Sequence, residues 1–197
     1  AKRENVIEMD LLEYCLREDL NKRALRRLGV LNPLKVTIEN YPERQIEEVE
    51  AVNNPEDPNA GIRKIPFSRN LYVERNDFME DPPKKYFRLA LGKEVRLKYA
   101  YYVTCREMIR NETGEIIELI CTYDPESRGG STPDERKVRG TIQWVDAKSA
   151  LSAQVNLYDR LFHEANPDSG KEGKDFIDFL NPDSLKIIDL SLIHISE

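Results

Sequence analysis

The stretch Leu34-Lys35-Val36-Thr37-Ile38-Glu39 alternates apolar and polar residues without a break, and this period of two constrains the fold most. Successive side chains of a strand point to opposite faces, so such a segment buries its apolar face only within a sheet. Further strands are predicted over residues 63–66, 71–74, 86–91, 94–108, 116–123, 137–145, 153–158 and 185–188. Turn signals separate them. Asn111-Glu112-Thr113-Gly114-Glu115 lies between two β-branched runs and predicts a hairpin loop, while residues 55–61 and 128–133 are rich in Gly, Pro and Asn. A short helical turn is predicted near residues 176–180. Many short strands with turns between them point to barrels or a sandwich and leave little room for a parallel sheet.

The first thirty residues read differently. Asp10 followed by Glu13 suggests a capping box, and Leu11, Leu12, Cys15, Leu16 and Leu20 fall on one helical stripe. A second short helix is predicted over residues 22–28, with Gly29 as its C-terminal cap and Asn32-Pro33 closing the helical part.

At 197 residues, 40% hydrophobic and 34% charged, the chain has enough material for a core and is too apolar for general disorder. No apolar run approaches the roughly 18 residues of a membrane span. The opening residues lack a secretory signal, and three widely spaced cysteines suit a reduced, cytoplasmic chain better than a disulfide framework.

The net charge of −6 says less than its distribution. Residues 39–59 hold seven acidic side chains and one basic, whereas residues 84–110 hold eight basic and two acidic. A polyanion is drawn to the second stretch and repelled by the first. Composition alone favours the plainer reading of two solvated faces of opposite bias.

Catalytic chemistry finds no foothold. No Gly-rich phosphate loop is present, and His163 and His194 have no partner at metal-ligand spacing. Cys105 and Cys121 lie in apolar runs and read as small buried thiols. Glu47-Glu48 reads as solvated surface within the acidic stretch.

Seven phrases then carry a resemblance. Residues 31–42 (LNPLKVTIENYP), 63–68 (RKIPFS), 91–97 (LGKEVRL), 121–124 (CTYD), 137–145 (KVRGTIQWV), 157–162 (LYDRLF) and 181–185 (NPDSL) stand in the order found in the anticodon-binding region of glutaminyl-tRNA synthetases. The chain resembles that family over about residues 9–188. The resemblance implies a mainly β fold of two β-barrels, like those of certain ribosomal proteins, after a short helical linker. It places the linker at residues 1–32 and the proximal barrel at 33–83 and 157–189. The distal barrel falls at 84–156, and a tail at 190–197 departs from the pattern.

The implied function is to bind the anticodon stem-loop of a glutamine tRNA, as a monomer, for ATP- and Mg-dependent aminoacylation by a catalytic domain. The signatures of that domain are absent here, so the chain by itself is expected to be non-catalytic and to need no cofactor. It is also expected to lack the last barrel strands. Arg26, Arg88 and Arg96 align with family arginines that face the anticodon. Lys98 stands where the family often has arginine, keeping the charge and losing the bidentate fork. Two alternatives remain: the same module from a eukaryote-type glutamyl-tRNA synthetase, and a free-standing barrel protein that binds ribosomal RNA. An interaction module for an acidic protein partner is a third, more distant one.

Overall fold

A computed structural model describes residues 8–167 and 173–194. The described chain is mainly β, with one α-helix, α1 (Met9–Arg23). Two compact units emerge. One comprises residues 1–25 and 154–188, the other residues 26–153 and 189–197.

In the larger unit, β2 (Pro33–Ile38), β5 (Asn70–Glu74), β6 (Glu94–Leu97), β7 (Tyr102–Arg110), β8 (Ile116–Asp124), β9 (Thr141–Ile142) and β10 (Trp144–Asp146) form one sheet in the order β10-β5-β2-β8-β7-β6-β9. Only Gln143 separates β9 from β10, so the two edges of the sheet are joined by a single residue of chain. The sheet is a nearly closed barrel, which leaves almost no edge to pair elsewhere. Leu34, Val36 and Ile38 point inward as their alternation predicts, together with Leu71, Val73, Leu97, Val103 and Leu119. A chain of rings (Tyr41, Phe67, Trp144, Tyr101 and Tyr123) fills the rest, with centroids 5.1–5.2 Å apart and every contact edge-on except the tilted Phe67–Tyr101 pair.

Strands from both sides of the division expected at residue 84 share this sheet. The cause is β2, which pairs antiparallel with β5 on one edge and parallel with β8 on the other. A separate antiparallel pair, β3 (Glu47–Val52) and β4 (Ile62–Phe67), contributes Val49, Ala51, Ile65 and Phe67 to the same core.

The β7–β8 hairpin turns at residues 111–115 as predicted. The Asn111 side chain accepts from the Thr113 and Glu115 amides, and Gly114 takes the positive φ of 84° that the turn needs.

Elsewhere local pattern misled. The strand predicted over residues 94–108 is a hairpin, β6 and β7, because Tyr99 adopts a φ of 68° and Ala100 N–H bonds back to the Leu97 carbonyl. No Gly, Asn or Pro marks that turn. Residues 86–91 form no strand and make only isolated bridges, Phe78 to Leu89 and Leu91 to Cys105. Residues 137–140 likewise lie outside β9 and β10. Residues 24–27 are not helical, and β1 (Leu28–Val30) is a strand paired with residues 192–194, a partner too distant in sequence for a local pattern to reveal.

In the smaller unit, α1 buries none of its residues, and the apolar stripe of Leu11, Leu12, Leu16 and Leu20 is exposed. Glu8, not Asp10, is the helix N-cap, and no side chain caps it. Most of β11 (Leu151–Tyr158) and the first residues of β12 (Leu185–His194), its neighbour in a three-stranded sheet, belong here, and a capped turn, Phe176–Phe179, precedes β12. The segment 190–194, expected to be part of a tail, continues β12. No described helix is long and apolar enough to cross a membrane.

Candidate nucleic-acid interface

Gly140 organises the site. A Cβ at this position would run into the Phe87 carbonyl oxygen and would lie 3.3 Å from Val95 Cγ1, so only glycine lets the two segments pack this closely. Its own carbonyl accepts from the Arg96 amide at 2.8 Å, and Thr141 pairs with Arg96 across β6 and β9. Residues 87, 95–96 and 139–140 are therefore neighbours on the barrel wall.

The cations of these segments divide by their partners. Arg136 is held by three carboxylates: Glu94 (2.9 Å), Asp134 (3.1 Å) and Asp124. It thereby neutralises Glu94, which shares β6 with Arg96. Among the described residues, Lys84, Lys85, Arg96, Lys98, Lys137 and Arg139 have no carboxylate partner. A region with its carboxylates neutralised internally and its cations left over presents net positive charge to a polyanion.

The four residues expected to contact RNA meet different surroundings. Arg96 is half-buried, with its Nη1 donating to the Gly130 carbonyl (3.4 Å) and its Cδ only 2.5 Å from where a Gly130 Cβ would stand. It is thus packed under the 125–130 turn and not simply exposed on a strand face. Lys98 sits beyond the end of β6, its Nζ 5.4 Å from the Tyr99 ring centroid, so strand alternation does not set it beside Arg96. Arg88 is exposed and ion-paired with the buried Asp77. Arg26 is half-buried, and its Nη2 is enclosed without a hydrogen-bond partner among the described residues.

Sequence reasoning missed two members of this surface. Phe87 is 47% exposed, and the Arg139 guanidinium lies over its ring at 5.3 Å from the centroid. The available signal was an aromatic residue flanked by Lys84, Lys85 and Arg88. The basic stretch also has to be extended to Lys137 and Arg139, which only the fold brings to it.

Glu47, expected to be solvated, is a structural acceptor with a side chain only 17% exposed. The Tyr41 hydroxyl (2.8 Å) and the Tyr101 hydroxyl (2.9 Å) both donate to it, and Arg128 lies 3.5 Å away.

Comparison with known proteins identifies the family of the domain. Residues 24–124 match a family model described as tRNA synthetases class I (E and Q), anti-codon binding domain. A second model with the same description matches residues 141–195, running through most of the segment expected to depart from the pattern. The glutamine--tRNA ligase of Bradyrhizobium diazoefficiens is 54% identical over 188 residues, covering 95% of this chain and 33% of the relative. Those of Clostridium kluyveri and Nitrosomonas europaea are 50% and 46% identical, each match covering 95% of this chain and 34% of the relative. The chain spans about a third of the length of these relatives. With two such models matched along most of its length, the chain belongs to the anticodon-binding domain family of the class I tRNA synthetases for E and Q.

Proposed function

We propose that this chain binds the anticodon stem-loop of a glutamine tRNA and holds it for aminoacylation by a catalytic domain of a longer, cytoplasmic and monomeric glutamine--tRNA ligase. The observation that carries the reading is the set of cations without a carboxylate partner on the segments that meet at Gly140, beside an Arg136 that pairs with Glu94, Asp124 and Asp134. Sequence-specific RNA recognition targets unpaired loop bases, while cations on phosphates supply much of the affinity. Arg96 and Lys98 serve the RNA from this region. Arg88 does so once its pairing with Asp77 is shared with a base edge or phosphate, and Arg26 does so once its enclosed, unsatisfied Nη2 turns outward. On this reading the ATP- and Mg-dependent chemistry lies with the catalytic domain, and the present residues bind and discriminate. The identity of the relatives supports glutamine over glutamate as the cognate amino acid.

Fluorescence anisotropy with a labelled glutamine-tRNA anticodon stem-loop tests this. Binding that weakens steeply with salt is expected, and Arg96→Glu should remove most of it while the protein stays folded. Absent binding at low salt, or binding indifferent to salt, would overturn the reading.

A further inference from the structure

We propose that Phe87 and Arg139 form a stacking platform for one unpaired base of the bound RNA, an inference that rests on the RNA-binding reading above. The pair stands on three observations. Phe87 keeps 47% of its surface exposed although its neighbours Leu89 and Ala90 are buried, so the ring is displayed at the surface of a well-packed wall. Its backbone is fixed in place, because the Phe87 carbonyl fits against the bare Cα of Gly140. Arg139 lies over the ring at 5.3 Å and has no carboxylate partner among the described residues, which leaves its guanidinium available to a polyanion.

These features suit a nucleobase. Every base has a flat face, and proteins that hold single-stranded RNA stack such faces on aromatic rings and guanidinium planes. Lys84 and Lys85, which precede Phe87 closely in the chain, and Arg96, whose amide bonds Gly140, supply cations for the phosphates next to a splayed base. An aromatic ring that merely filled the core would not be half exposed, and a cation that merely solubilised the surface would not need to lie on the ring. The division of labour follows: Arg96 and the lysines supply salt-sensitive attraction, and Phe87 supplies a contact nearly independent of salt.

The full chain is titrated with the stem-loop carrying 2-aminopurine at each loop position in turn. One position should be quenched on binding, as a stacked base is. Phe87→Leu keeps an apolar side chain and removes the flat face. It should lower affinity roughly 5- to 150-fold, abolish that quenching and leave the salt slope unchanged. Phe87→Trp should retain affinity, and its indole emission should change when RNA is added. Unchanged Trp emission overturns the proposal, even if Phe87→Leu fails to fold. So does a folded Phe87→Leu protein with parental affinity and quenching, and the RNA-binding reading then survives if Arg96→Glu still loses the RNA. A parent chain that does not bind the stem-loop at any salt removes both.

Discussion

The Tyr101 hydroxyl donates to both oxygens of Glu47, at 2.9 and 3.0 Å. Tyr41 donates to the same carboxylate, so one acidic residue of β3 ties together two rings of the barrel core. Glu47→Ala should cost about 2–4 kcal/mol in unfolding free energy, since hydrogen bonds to a charged group are lost and two enclosed phenols are left without an acceptor. A urea midpoint equal to that of the parent would contradict this. Glu48→Ala, at an exposed neighbour paired only with Lys64 and through its backbone with Arg128, should be nearly silent.

The same contact makes stability sensitive to alkali. Burial first, and the Glu47 hydrogen bond second, push the Tyr101 hydroxyl up to about 12. Burial and Glu47 raise Tyr41 in the same direction. A tyrosine in the unfolded chain ionises near pH 10, so the folded state holds its proton more tightly. The stabilisation is full below about pH 10 and is lost as pH rises toward about 12. Urea midpoints should therefore fall between about pH 10 and about pH 12. The Tyr41→Phe/Tyr101→Phe double variant should show a smaller fall, and an equal fall would exclude these two groups as the cause.

Gly140→Ala should destabilise by about 1–3 kcal/mol, because the added methyl group meets backbone and cannot be accommodated by rotating a side chain. RNA affinity should drop with it as the Phe87 segment is pushed away. Gly114→Ala provides the comparison: nothing lies within 4 Å of its Cβ, and only the positive φ opposes it, at about 1–2 kcal/mol. Its effect on RNA binding should be negligible.

Cys105 and Cys121 face each other across β7 and β8, both buried, whereas Cys15 on α1 is exposed. A thiol reagent should titrate one group in the native protein and all three cysteines after denaturation. Rapid native reaction of a second thiol would show that the β7–β8 pair opens readily.

What the sequence revealed depended on how far away the deciding partner lies. Leu34, Val36 and Ile38 alternate, and the Asn111–Glu115 turn carries its own acceptor and glycine, so both were legible from neighbours alone. The break at Tyr99 was not, because tertiary packing holds an unhelpful residue at positive φ. β1 depends on residues 192–194, and the acidic β3 depends on β4 and on two tyrosine donors. The RNA-facing surface was half legible. Its basic stretch was visible as composition, but Arg139 reaches Phe87 only through the β6–β9 pairing, and the Asp77 partner of Arg88 gives no local sign.

The parallel pairing of β2 with β8 also sets a timetable. Thr37 and Glu118, bonded across it at 2.5 Å, are 81 residues apart. At ribosomal rates of about 5–20 residues per second, the open edge of β2 waits roughly 4–16 s for its neighbour. β9 and β10, which join the two sides of the sheet, follow later still. Closure of this sheet therefore waits for its last strands and is governed by closing long loops and not by local nucleation. During that interval β2, though paired with β5 on one side, leaves its other edge open and the apolar face of Leu34, Val36 and Ile38 uncovered, which is a surface that a holding chaperone recognises.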